Sequence, residues 1–172
     1  MEPVFKNSYL YTMEDLKETA QHSMVQKYKI TAMVLAALCC LLAVLLRLLQ
    51  GPFVLIAALL ISAVLVLFKL FRLPTKLAGQ TYRRNQVMYQ AQPRVEVDFF
   101  DDQLQAHNES SKAILQFTYD KIVRIKETKN LYLLLLPEQL VVMVQKRGFI
   151  SGRPAEFVPF LKQKCPDAAR RL

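Results

Sequence analysis

Apolar residues run almost without a break from residue 30 to residue 68. The first block, residues 30–46, carries no charge and has Thr31 as its one polar break; it reaches Leu49 past a single Arg47. The second, residues 53–68, is also uncharged, and only Gln50, Gly51 and Pro52 lie between the two. Blocks of roughly 16–20 residues make about 24–30 Å of helix, close to the hydrocarbon thickness of a bilayer. A core helix of a soluble protein keeps a polar stripe. The pattern therefore predicts a transmembrane helical hairpin over residues 30–71, with Gly51-Pro52 marking the turn.

The flanking patterns are different. Val4, Phe5, Tyr9, Leu10 and Tyr11 predict a short strand that pairs with a later one. Thr12, followed by Glu14 and Asp15, is a helix start, because a side-chain oxygen and negative charge both suit the N-terminus. That helix is expected to run through residue 28, with Leu16, Ala20, Met24 and Tyr28 in one stripe. After the hairpin, residues 69–92 predict a loosely amphipathic connecting helix carrying Leu77, Tyr82, Met88 and Tyr89. Pro74 is expected to end or kink the second membrane helix. From residue 94 the period changes to two. Val95, Val97 and Phe99 alternate; Asp101-Asp102 turn the chain; further runs follow at 104–107, 113–118, 123–128, 131–136 and 140–145. Pro137-Glu138-Gln139 splits the run 131–144 into a β-hairpin and argues against a third span. Pro154 opens a closing helix with Phe157, Phe160 and Leu161 on one face. The tail from residue 166 is expected to fray. The fold class is an α+β membrane protein: a two-helix hairpin plus a small antiparallel β-domain of about six strands with a C-terminal helix. The expected units are residues 1–29 (strand and amphipathic helix), 30–71 (hairpin), 72–93 (basic juxtamembrane connector) and 94–172 (cytoplasmic β-domain).

Charge gives the hairpin a direction. The net charge is +9. Residues 1–29 are balanced, residues 94–172 hold 13 basic and 10 acidic residues, and residues 30–93 hold six basic residues and no acid. Lys17, Lys27, Lys29, Lys69, Arg72, Lys76, Arg83 and Arg84 lie at or near the open end, whereas the link side has Arg47 alone, placed to snorkel to the interface. The positive-inside rule then puts both termini in the cytoplasm of a two-span cell-membrane protein. Excess charge beside the spans suits anionic headgroups. No stacking aromatics interleave a basic stripe, so nucleic acid is not expected as a partner. Cys39, Cys40 and Cys165 form no disulfide framework, consistent with a reducing compartment. With no cleavage signal after the apolar run, the first helix is expected to be an uncleaved anchor.

Catalytic patterns are missing. There is no P-loop, GxGxxG, HExxH or GxSxG. His22 and His107 are separated by the hairpin, Ser110 and Ser111 have no adjacent base, and Asp101-Asp102 reads as turn chemistry. The expectation is a non-enzyme without cofactor or metal. The membrane segments hold no Asp, Glu or His, so no ion relay is visible. Candidate lipid-headgroup contacts are Lys27, Lys29, Lys69, Arg72, Lys76, Arg83 and Arg84; the candidate partner face is Arg124 and Lys126. Two functions stay open: a membrane-anchored cytoplasmic module that binds a protein, with homo-oligomers also compatible, and an inner-membrane lipid- or stress-sensing component acting through its basic juxtamembrane residues.

Several stretches taken in order resemble the YcxB-like family of small bacterial membrane proteins. They are Tyr9-Leu10-Tyr11-Thr12 with Glu14 and Asp15, the hairpin, Phe99-Phe100-Asp101-Asp102-Gln103-Leu104, Tyr119 with Ile122, Ile125, Glu127 and Thr128, Leu131-Tyr132-Leu133, and Phe157 with Phe160 and Leu161. The resemblance implies a C-terminal domain similar to pleckstrin-homology folds and adds little chemistry. A phosphoinositide site of that fold would need basic residues at the first β-turn, where this chain has Asp101 and Asp102.

Overall fold

The computed structural model describes residues 2–170, with the side chains of residues 24–27 outside that description. Chain order runs β1 (Phe5–Leu10), α1 (Met13–Thr19), a π-helical turn (Ala20–Met24), α2 (Val25–Leu48) and α3 (Phe53–Tyr89). Then come β2 (Arg94–Phe99), β3 (Gln103–Asn108), β4 (Ala113–Thr118), β5 (Arg124–Glu127), β6 (Leu131–Leu135), β7 (Val141–Gln145), β8 (Phe149–Ser151) and α4 (Pro154–Lys164). The result is a mixed fold of helices and antiparallel sheet with two helices long and apolar enough to span a membrane.

The strands form two sheets rather than the single one expected, in the orders β4-β3-β2-β1-β8 and β5-β6-β7. β1 lies inside the first. It pairs antiparallel with β2 along its whole length, from Phe5↔Phe99 to Leu10↔Arg94, and with β8 on its other side. Its alternation turns Phe5, Asn7 and Tyr9 inward. The strand made before the hairpin thus completes a sheet made after it. β8 falls in what reads as a two-glycine loop. Gly148 permits its approach, because a Cβ there would stand 2.7 Å from the Ser8 carbonyl oxygen.

Asn7 joins the sheets. It is fully buried, accepts from the Gln145 amide at 3.1 Å and donates to the Gln145 carbonyl at 2.8 Å, acting as a strand partner for the end of β7. α4 closes the core. Phe157 and Leu161 are fully buried, with Phe160 packed against the core edge. The Phe157 ring meets Phe5, Phe99, Tyr132 and Phe149 at centroid distances of 4.9–5.4 Å. The chain beyond α4 folds back onto the domain through Ala169 rather than fraying from residue 166. Ala168 and Ala169 are buried, and the Ala168 carbonyl accepts from Ile125 on β5, so the small alanines cover a sheet edge.

Pro74 does not end the second apolar helix. α3 continues through it for 37 residues, about 55 Å, so the connector is the same helix. Pro74 is buried, and the lost N–H bond leaves one carbonyl to be satisfied a turn earlier while the backbone stays helical. In the apolar part of the hairpin the buried residues are alanines, Ala36 and Ala43 on α2 and Ala63 on α3, small enough for close helix approach. At the link, Gln50 takes a left-handed conformation (φ 55°) and the Gly51 amide caps the Leu46 carbonyl at 2.8 Å.

Candidate functional site

The site is built where α1 passes between the β-domain and α3. Thr12 caps α1, its hydroxyl oxygen accepting from the Asp15 amide at 3.1 Å. The helix is then fastened to the second sheet at four points. Asp15 accepts from the Gln145 side chain at 3.0 Å. Glu18 takes two bonds from Asn130 in the β5–β6 turn, 2.9 Å from the amide and 3.0 Å from the side chain. The Thr19 hydroxyl meets the Met143 sulfur at 2.8 Å. Lys126 on β5 donates to the His22 carbonyl at 2.5 Å. Burial pushes the Glu18 carboxyl up, but the bonds from Asn130 and Thr128 outweigh it and hold the group below the usual carboxylate range. The bond from Lys126 falls on the π-turn, at His22, and the π-turn leads directly into α2. Its Ser23 hydroxyl donates to the Thr19 carbonyl at 2.6 Å, satisfying a backbone group where the helical register changes.

On the other side of α1 an open groove of about 610 Å³ lies against α3, lined by Lys17, Gln21, Phe71, Arg72, Thr75 and Lys76. Three cations and no carboxylate line it. Leu16 and Ala78 are buried, and Met13 lies against Gly79. The groove begins where the apolar part of α3 ends. Val64, Leu67, Phe68 and Phe71 are exposed along that stretch, and the Arg72 guanidinium sits 4.6 Å from the Phe68 ring centroid.

The structure gathers two groups of basic residues around this junction. Arg72 and Lys76 line the groove; Lys17 and Gln21, which the sequence pattern did not single out as contacts, complete it. Lys17 was visible only as part of the charge bias. Its partnership with Arg72 needs helix packing, because the hairpin separates them. Lys29, Arg124 and Lys126 form the second group. Burial first, then Arg124 and Lys29, lower the Lys126 pKa. Arg124 and Lys126 are both half-buried, with Lys126 bonded to the chain's own leading helix. Lys69, Arg83 and Arg84 are exposed along α3, outside the groove, and the Lys27 side chain lies outside the described residues.

Among the described residues, no three His, Cys, Asp or Glu side chains converge as a metal site. His22 is exposed on the π-turn, and His107 stands opposite Glu96 on neighbouring strands. Asp101 is exposed and paired with Lys164 at 3.3 Å. Cys165 is buried, which pushes its thiol up to about 11.

The turn Asp101-Asp102 between β2 and β3, the short helical turn at Tyr119, the β6–β7 pair and Phe157-Leu161 on α4 lie in the order that the sequence pattern suggested. Residues 99–161 match the family of YcxB-like proteins. This YcxB-like segment runs from the last residue of β2 into α4 and so holds β3 to β8. It leaves out β1, α1 and the hairpin. The α1–α3 groove is therefore outside the matched residues, while all four of the clamp's β-domain residues, Lys126, Asn130, Met143 and Gln145, are inside them. Comparison with curated proteins and with solved structures returns no match.

Proposed function

We propose that this chain is a non-enzymatic, membrane-anchored module whose hairpin spans the bilayer and whose β-domain, built on a pleckstrin-homology-like plan, is held in a fixed pose at the cytoplasmic face. One observation carries this reading: the helix that continues into the first apolar span is bonded to the β-domain at Gln145, Asn130, Met143 and Lys126. A freely tethered domain needs no such clamp; a domain that must present one surface to a membrane neighbour does. Further support comes from the two long helices, whose apolar windows are only 11% and 6% buried within the protein, unlike a globular core helix. The charge bias supports cytoplasmic termini. Tethering raises the effective concentration of the domain toward other membrane proteins.

The clamp also moves the partner-facing surface. Lys126 is bonded to the chain's own leading segment at His22, with Arg124 and Lys29 as neighbouring charges, so this basic group suits contact with an anionic bilayer better than with a soluble partner. The surface left for a protein is the edge strand β4, with Ile114 and Leu115 exposed, which fits addition of an extended segment as a further strand. The lipid-sensing reading is favoured by a separate observation, the acid-free groove of Lys17, Arg72 and Lys76.

Cysteine labelling tests the reading. In a variant with Cys39, Cys40 and Cys165 replaced by alanine, Leu49→Cys is expected to react with an impermeant thiol reagent outside intact cells. Glu2→Cys and Ser110→Cys are expected to react only after permeabilisation. Labelling of Ser110→Cys from outside would overturn the cytoplasmic placement.

A further inference from the structure

We propose that the groove between α1 and α3 binds the phosphate of an anionic phospholipid headgroup, with the acyl chains lying along the exposed apolar face of α3. This rests on the membrane-spanning reading above and names the ligand of its junction. Lys17 from one helix and Arg72 and Lys76 from another converge on one open groove. Gln21 and Thr75 add neutral hydrogen-bond donors. Glu18, the acid next to Lys17, is engaged by Asn130 on the opposite side and does not line the groove. An arginine fork and two ammonium groups match a phosphate with its several acceptor oxygens.

Position selects the lipid over a soluble anion. The groove opens at the end of the apolar stretch of α3, and Phe71, 89% exposed, stands beside Arg72 at that boundary. An exposed phenylalanine ring has no polar tip and belongs at the hydrocarbon edge, which sets the Arg72 guanidinium at headgroup level. A lipid packed along Val64, Leu67 and Phe68 would bring its phosphate to Arg72 without leaving the bilayer. Because α1 lines the groove with Lys17 and grips the β-domain with Glu18, an occupied groove would also steady the pose of the β-domain.

The test uses the full chain in neutral detergent, with phosphatidylglycerol, phosphatidylcholine and inorganic phosphate as probes and native mass spectrometry as the readout. The expected result is retention of phosphatidylglycerol over phosphatidylcholine. The Lys17→Gln/Arg72→Gln/Lys76→Gln variant should lose affinity on the order of a hundredfold. A Lys112→Gln/Lys121→Gln/Arg153→Gln variant removes the same charge at exposed positions outside the groove and should bind as the parent does. Equal loss in both variants, or no loss in the first, overturns the site. Displacement of the lipid by millimolar inorganic phosphate overturns the lipid as its natural ligand. All six side chains are exposed, so unfolding midpoints should match the parent. Cysteine labelling of the groove variant separates the two readings: unchanged labelling with unchanged lipid retention rejects the groove alone, whereas outside labelling of Ser110→Cys rejects the membrane pose on which it rests.

Discussion

Two polar residues on the first sheet show how position decides the effect of a side chain. Asn7 replaces a strand at the end of β7 by bonding both backbone groups of Gln145. Asn7→Ala takes that acceptor from the Gln145 N–H, while the Gln145 carbonyl keeps the bond from the Gly148 N–H at 3.0 Å; the change is expected to destabilise the chain by about 1–3 kcal/mol, read from thermal unfolding in detergent. Asp98 lies on the outer face of β2, and one of its carboxylate oxygens is buried without a hydrogen-bond partner, the Lys6 ammonium being 4.0 Å away. Burial raises its pKa, with Lys6 opposing. Lys6 itself is raised, first by its bond to Glu96 at 2.9 Å and then by Asp98. Since the folded chain holds the Asp98 proton more tightly than the unfolded chain, ionised Asp98 costs stability above its folded pKa. That cost vanishes below the ordinary value of 3.8. Asp98→Asn is therefore expected to raise the unfolding midpoint at pH 7 and to make little difference near pH 3.

At the level of elements, the closing helix follows from three residues at i, i+3 and i+4. Phe157 is the centre of an aromatic cluster and fully buried, whereas Phe160 is half-exposed and touches its rim. Phe157→Ala should cost about 3–5 kcal/mol and Phe160→Ala clearly less. Equal shifts in the unfolding midpoint would contradict the packing of α4. The helix start at Thr12, the turn at Asp101-Asp102 and the β6–β7 pair were all legible, because cap and turn chemistry act within a few residues. β8 was not: it is three residues long and needs glycine at Gly148 to pass the Ser8 carbonyl, a contact made across the fold. Pro74 misleads in the same way. Local rules make proline a breaker, yet α3 continues, and the packing that buries Pro74 holds the helix through it.

The whole molecule is interleaved: β1 is made before the hairpin and lies between β2 and β8, which come after it. A shortened chain of residues 94–172 therefore lacks an interior strand and the helix that bonds to Asn130 and Gln145. It is expected to show no cooperative unfolding transition. Joining residues 2–24 to residues 92–170 through a long Gly/Ser linker in place of the hairpin should restore one. A stable, cooperatively unfolding 94–172 fragment would show that β1 is dispensable. The same interleaving makes the clamp, since the chain leaves the sheet through α1 and enters α2 within a few residues.

The sequence by itself determined the helical hairpin, its turn, the β-character after residue 94, the apolar face of α4 and the concentration of positive charge around the two apolar helices. Each of these is written in periods, turn residues or charge counts that act locally. Only the tertiary structure decided that β1 is an interior strand, that the strands divide into two sheets, that Lys126 is spent on the His22 carbonyl, and that Lys17 shares a groove with Arg72 and Lys76. Those outcomes join residues separated by the hairpin or by most of the chain. Register, helix packing and burial set such contacts, and no short window of sequence contains both partners.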